Sequence, residues 1–320
     1  GRGLCDPFGG KKDLRGRVIR CVGEPVTRFC EDGLRILRAV RFAATLEFAI
    51  APDTANAVRD CRALLDNIAR ERVRIEWDKL LLGAGAVPVL RAFPEIVGQI
   101  FPEVTPCFGF AQNSRYHCFD VWEHTLAALE YAKADHIVRL ALFFHDIGKP
   151  AVYREDARGG HFPGHAKVSV ELAQAAMERL RYDRDTTARV LALVREHDMP
   201  LPTQEKGVRR LMMRFDDADI ARLLEIQRCD RLAHHPDFRD LPQEWYALPA
   251  MVEKLRAEHA CLSLRDLAVN GRDLMALGIP AGREMGRILQ ELLDAVVDGN
   301  LENEKKTLLA EAEISKKEKV

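Results

Sequence analysis

The 320-residue sequence has no Cys-x-x-Cys pair, and its eight cysteines, from Cys5 to Cys261, are scattered singly. A disulfide framework packs cysteines densely into a short secreted chain, so this spacing predicts reduced thiols in a cytoplasm. No apolar run reaches the ~18 residues of a membrane span, and no charged-then-apolar leader opens the chain, so no membrane association is expected. An excess of one charge is missing too. Lys and Arg total 48 against 49 Asp and Glu, a net charge of −1, which excludes a chain coated in positive charge but leaves room for a local basic stripe. The first residue is Gly rather than Met, and the chain opens within Asp6-Pro7-Phe8-Gly9-Gly10; the expectation is the C-terminal part of a longer protein.

What is present is an ordinary globular composition, 47% hydrophobic and 30% charged, able to bury a core. Strand signals are scarce. Val18 to Val22 is the one plausible strand in a turn-rich opening, and from Glu31 apolar residues recur at spacings of three and four. Further helices are predicted over Asp53 to Leu65, Arg70 to Leu82, Val138 to Phe144, Val168 to Leu180 and Leu289 to Val297. A loop rich in glycine and proline, Gly159 to Gly164, separates the fourth and fifth of these. The fold expected is mainly α.

Asp32, Arg35, Arg38 and Arg41 follow one another at spacings of three. On a helix such neighbours share a face, and the row winds slowly round the axis. From spacing alone it reads first as a solvated face with an i,i+3 ion pair. It also has a chemistry: a carboxylate accepts from an exocyclic amine, and a guanidinium donates a fork to ring nitrogens or phosphates. Side by side they would complement the Watson–Crick edge of cytosine or adenine.

Asp6-Pro7-Phe8-Gly9-Gly10, Asp13-Leu14, Ile19 to Pro25, Arg28-Phe29 and the Glu31 to Phe42 run resemble consecutive motifs of bacterial class II tRNA nucleotidyltransferases, the CCA-adding enzymes, which share a superfamily with poly(A) polymerases. The resemblance implies that Asp32, Arg35, Arg38 and Arg41 bind incoming CTP or ATP without a template, and that tRNA is the partner and Mg²⁺ the cofactor of transfer. It further implies that the paired metal-binding carboxylates lie upstream of Asp6, so that none of the residues here is catalytic for transfer and the chain alone is inactive in it.

A second constellation runs through Tyr116 to His124, His145-Asp146, His161 to His165, Glu196-His197-Asp198 and Cys229-Asp230. Neutral imidazoles and carboxylates suit divalent metals, and an adjacent His-Asp pair lets one turn supply two ligands. A metal so held can acidify a water for attack on phosphorus. Any one histidine, His136, His234 or His259 above all, reads as a core or capping residue. The ordered series resembles the HD superfamily of metal-dependent phosphohydrolases, an all-helical fold. That resemblance implies metal ligation by His124, His145, Asp146 and Asp230, with His165 and His197 added in two-metal members, and Mn²⁺, Ni²⁺ or Mg²⁺ as the ion. Lys149 either binds phosphate or is a solvated lysine.

In the tail, Asn270-Gly271 and Gly278 to Pro280 precede helical patterns that would offer backbone N–H groups to phosphate. The resemblance makes it tRNA-contacting, with Arg272 and Arg283 as candidates; a hairpin that only packs fits as well. Residues 1–50 carry ten Lys and Arg against six Asp and Glu, which suits phosphate-backbone contact. The expected organisation is therefore a remnant of an α/β nucleotidyltransferase head (1–30), a multi-helical, nucleotide-selecting and RNA-binding neck (31–110), an HD-type helical body (111–235) and a helical tail (236–320). The expected activity is CMP and AMP addition to tRNA 3′ ends. The rivals are HD-type hydrolysis of a phosphomonoester or 2′,3′-cyclic phosphate, poly(A) polymerisation, and non-catalytic RNA binding. Oligomeric state is left open.

Overall fold

The computed structural model describes residues 5–157 and 159–317. Among these the chain is mainly α, as the periodicity predicts, with eighteen α-helices and two small two-stranded sheets. Among the described residues no helix is long and apolar enough to cross a membrane. The chain divides into two compact units, residues 5–199 with 222–240, and residues 200–221 with 241–317. The grouping of 200–221 with the tail has no signal in local periodicity, because it arises from packing between distant helices.

In the first unit, helix starts follow their local chemistry. Pro25, Pro52 and Pro94 each occupy a first turn, where a missing N–H costs nothing. Asp120, Asp135 and Asp183 cap the helices Val121–Tyr131, His136–Phe144 and Arg184–Glu196 by accepting from the N–H three residues on. The Leu34–Leu46 helix buries Ile36, Leu37, Val40 and Ala44. Val18–Ile19 pairs in parallel with Ala49–Ile50, so the predicted strand is two residues long rather than five. The expected loop at 159–164 instead begins in a hairpin, Arg154–Asp156 against Gly159–His161. All three residues of its first strand are exposed, so no alternation marked it. Gly160 fixes its place: its N–H donates to the Asn113 carbonyl at 2.8 Å, and a Cβ there would lie 2.2 Å from the Gln112 carbonyl oxygen.

The core of this unit is aromatic. Trp77, from the Arg70–Leu81 helix, meets Phe101 and Phe143 edge to face at 4.6 and 4.9 Å, and Phe143 meets Phe144 at 5.0 Å. Such pairs add about 0.5–1.5 kcal/mol each beyond burial. Arg139, 8% exposed, has four backbone acceptors: Leu81 O (2.7 Å), Gly83 O (3.4 Å), Ala132 O (3.0 Å) and Lys133 O (3.2 Å). These lie at the C-terminal ends of Arg70–Leu81 and Val121–Tyr131, where a cation is favoured by the helix dipoles.

In the second unit, the Arg283–Val297 helix buries Ile288, Leu292 and Val297 with Leu274, Leu308 and Ala312. Asn270 and Asp273 form a reciprocal capping box, and Lys305 Nζ lies 2.6 Å from Asp273 Oδ1. Arg210 makes a two-pronged contact with Asp298 at 2.8 Å on each arm.

Replacing Arg139 with alanine strands the carbonyls of two helix ends. The Arg139→Ala variant should lose roughly 3 kcal/mol, read as a lowered urea midpoint by tryptophan fluorescence; an unchanged midpoint would contradict the role assigned to it.

Candidate metal centre

His145 and Asp146 follow directly on the helix that ends in Phe143-Phe144, so the aromatic core sets their position. Gly148 then lets the chain press against another helix. A Cβ there would lie 2.5 Å from the His165 carbonyl oxygen, and its N–H donates to Ser169 Oγ at 2.9 Å. This contact brings His165, the first residue of His165–Arg179, to the Asp146 carboxylate. His197 caps the end of Arg184–Glu196, His124 lies on Val121–Tyr131, and Asp230 on Asp217–Leu232.

Three of the imidazoles are oriented the same way. The Nδ1–H of His145 donates to Leu142 O (2.6 Å), that of His165 to Phe162 O (3.0 Å) and that of His197 to Val194 O (2.7 Å). A carbonyl only accepts, so the proton sits on Nδ1 and Nε2 is left as the ligand atom. His145 Nε2 lies 3.2 Å from Asp146 Oδ2, and His124 Nε2 lies 3.4 Å from it. Asp230 Oδ1 is 2.8 Å from His124 Nε2 and 3.6 Å from His145 Nε2. On the other side, Asp146 Oδ1 is 3.3 Å from His165 Nε2 and 3.8 Å from His197 Nε2. Two donor sets result: His124, His145, Asp146 and Asp230, and Asp146, His165 and His197. Each takes one oxygen of the same carboxylate.

The structure thus gathers all six residues singled out as ligands in the sequence. It adds four others, Lys149, Gln112, His117 and His234. Lys149, 5% exposed, is no solvated lysine: its ammonium lies 2.6 Å from Asp146 Oδ2, 2.8 Å from Gln112 Oε1 and 3.4 Å from His117 Nε2. His117 and His234 cluster with His124 as a third group of imidazoles. His234 stands four residues after Asp230, the one local sign that it faces the same way. Gln112 and His117 lie in irregular chain with no periodicity to mark them. The cleft above the cluster measures about 1000 Å³ and is lined by Arg115, Tyr116 and Phe162 and, of the ligand residues, by Asp146, His165, His197 and Asp230.

The donor set fits divalent cations. Asp146 is 1% exposed, and neither of its oxygens has a well-formed hydrogen bond. Burial opposes charge on these groups, but they offset one another. Asp146 is held well below the usual carboxylate range by His145 and Lys149, and Asp230 by His124 and His145. Burial likewise opposes protonation of His145, yet Asp146 and Asp230 push its pKa up to about 10; Asp146 raises that of His165 in the same way. Burial and the charge of His145 lower His197 to about 4, and burial beside Lys149 lowers His117 to about 2.

The other predicted contacts are differently placed. Asp32 is not on a helix: it lies in extended backbone (φ −152°, ψ 103°) between Pro25–Glu31 and Leu34–Leu46. Its Oδ1 accepts from Leu34 N–H (3.0 Å), and Arg72 lies 3.6 Å from Oδ2. The turn at Asp32-Gly33 interrupts the row, since a carboxylate that accepts from a nearby backbone N–H competes with helix. Arg35 donates to Glu31 Oε2 (2.6 Å) and Arg28 O (2.9 Å). Arg38 is exposed near the Phe42 ring. Arg41 Nε lies 2.6 Å from Glu76 Oε2, both largely shielded, with its guanidinium 3.8 Å from the Phe42 centroid. Arg272 and Arg283 are exposed in first turns of their helices. The N–H groups offered to phosphate near Asn270 are taken by its capping box.

The chain is mainly helical, and its buried imidazole–carboxylate groups form a donor set of the kind that could hold a metal ion. Residues 165–312 match the family described as "tRNA nucleotidyltransferase domain 2 putative", and residues 47–107 that described as "Probable RNA and SrmB- binding site of polymerase A". The chain is 36% identical over 308 residues to the CC-adding tRNA nucleotidyltransferase of Thermus thermophilus, covering 92% of this chain and 68% of that one. It is 34% identical over 312 residues to the A-adding tRNA nucleotidyltransferase of Deinococcus radiodurans, covering 92% and 70%. The crystal structure of the Bacillus stearothermophilus CCA-adding enzyme in complex with CTP matches it with a TM-score of 0.67 at 27% identity, over 98% of this chain and 69% of that one. The chain belongs to the tRNA nucleotidyltransferase family of CCA-adding enzymes.

In the metal-free protein His145, its pKa pushed up to about 10, carries a proton on both ring nitrogens at neutral pH, and a cation must displace one of them. Mn²⁺ affinity should therefore rise from pH 6 towards about 10, the His145 pKa, with proton release visible by calorimetry in buffers of different ionisation enthalpy. Affinity independent of pH would contradict this protonation pattern.

Proposed function

We propose that this chain selects CTP and ATP for addition of CMP and AMP to the 3′ end of tRNA, with Asp32 and Arg35 reading the base and Arg38 and Arg41 meeting the triphosphate. The observation that carries it is 36% identity over 92% of the chain to a CC-adding relative, joined by similarity to a CTP-bound CCA-adding enzyme. The chemistry follows from base edges. Cytosine and adenine each present an amino donor beside a ring-nitrogen acceptor, which a carboxylate and a guanidinium complement. Uracil and guanine present the reverse, a carbonyl beside an N–H, and would set oxygen against carboxylate. For this reading Arg35 must exchange Glu31 for the base, and Arg41 must leave Glu76. The match of residues 47–107 to an RNA-binding family and the basic excess of residues 1–50 support tRNA as partner.

A second activity of the same chain is favoured by Asp146, whose two oxygens each face a separate set of imidazoles inside the cleft. We propose that this centre hydrolyses a phosphomonoester or 2′,3′-cyclic phosphate. His124, His145, Asp146 and Asp230 would hold one cation, and Asp146, His165 and His197 a second. Divalent cations there would supply Lewis acidity towards phosphoryl oxygens and lower the pKa of a water. Lys149, drawn to Asp146 without a cation, is positioned to turn its ammonium to the phosphate.

Two measurements test these readings. Calorimetry should show CTP and ATP bound and UTP and GTP not, with affinity for the first two falling about tenfold or more in Arg35→Ala and in Asp32→Ala; equal binding of all four nucleotides would overturn base reading. Phosphate release from a monoester, or opening of a 2′,3′-cyclic phosphate to the monoester, with Mn²⁺, Ni²⁺ or Mg²⁺ should fall about a hundredfold or more in His145→Ala and Asp146→Ala, and activity that survives both would overturn the hydrolase reading.

A further inference from the structure

The two donor sets at Asp146 leave a third group of imidazoles without a role. One ring nitrogen from each of His117, His124 and His234 lies within 4.8 Å of the other two, and their ring centroids are 5.0, 4.7 and 5.6 Å apart. Three imidazoles around one tetrahedral ion, with metal–nitrogen bonds of about 2.1 Å, have centroids about 5 Å apart. The Nδ1 atoms of all three are buried with no hydrogen-bond partner, whereas those of His145, His165 and His197 each donate to a carbonyl. On His117 the Nε2 atom lies 3.4 Å from the Lys149 ammonium. An ammonium only donates, so that nitrogen carries a lone pair and already faces a positive charge.

The group also spans a gradient of burial. His117 and His234 line the cleft, while His124 and His145 are wholly withdrawn from water. His124 belongs both to this group and to the donor set of His145, Asp146 and Asp230, so the imidazoles form a continuous path from the cleft wall to that set. A hydrated cation loses its water at high cost in such surroundings unless ligands replace the water stepwise. A neutral group with no carboxylate attracts a divalent ion less than a set with two, which makes it a place of passage rather than of rest.

We propose that His117 and His234 form a landing site through which a divalent cation reaches the donor set at Asp146, with His124 as the pivot that passes the ion from the outer group to the inner one. This rests on the reading of Asp146 and its neighbours as a metal centre. The inner set fixes how tightly the ion is held, and the outer pair fixes how fast it enters and leaves. Lys149, seated between His117 and Asp146, gives way as the ion passes.

The test follows Mn²⁺ uptake by stopped flow, as recovery of a fluorescent indicator that Mn²⁺ quenches, and Mn²⁺ release by a chelator chase. His117→Phe and His234→Phe keep a ring and remove its nitrogens. Uptake and release should both slow about tenfold in each, with the equilibrium affinity retained. Uptake at the wild-type rate in both variants overturns the landing site, as does a loss of affinity with the uptake rate unchanged. Should the wild type take up no Mn²⁺, the metal-centre reading falls and the inference with it. Crystals of His145→Ala, whose inner set lacks a ligand, give a second measurement. Soaked in Mn²⁺, they should show an anomalous peak held at the outer group by His117, His124 and His234, and the absence of a peak there overturns the inference.

Discussion

The Asp146 carboxylate, almost wholly withdrawn from water, is the constraint around which the first unit is arranged. A buried carboxylate is tolerated only when opposite charge or ligand-type donors surround it. Here His124, His145, His165, His197 and Lys149 converge from four separate segments, His145 and Lys149 sharing the turn that carries Asp146. Removing any of them unbalances the rest, so the segments that carry them are tied to one another through this group. The carbonyl acceptors behind His145, His165 and His197 are the outer layer of the same arrangement, because they fix which nitrogen faces inward.

The Arg70–Leu81 helix connects this centre with the segment proposed to read the nucleotide. Glu76 holds Arg41 of the Leu34–Leu46 helix on one side, while Trp77 packs against Phe143 on another, two residues before His145. Arg139 secures the end of the helix by capping Leu81 and Gly83. Neighbouring residues of one helix therefore hold the proposed CTP and ATP site and the aromatic core that precedes His145, and both segments fall within one unit.

Much of this was legible in residue order. Helical periodicity gave the mainly α class, and the motif series from Asp6 to Phe42 pointed to the family to which the chain belongs. The six ligand-type residues could be named because His-Asp and Glu-His-Asp stand at helix ends, where a turn aims consecutive side chains at one point. What was hidden depends on non-local packing. Gln112 and His117 sit in irregular chain, and only the close approach of Gly160 and Lys149 makes them part of the site. The Arg154–Asp156 strand is exposed on both faces and so has no pattern to read. At Asp32 the period of three pointed to a helix, but a carboxylate accepting from Leu34 N–H favours the turn that precedes one.

Anomalous scattering from crystals soaked in Mn²⁺ tests the central role of Asp146 most directly. Two peaks are expected, one between Asp146 Oδ2, His145, His124 and Asp230 and one between Asp146 Oδ1, His165 and His197, with the Lys149 ammonium displaced from the carboxylate. A soaked crystal with no peak at Asp146 and with Lys149 still in contact with it would contradict the account.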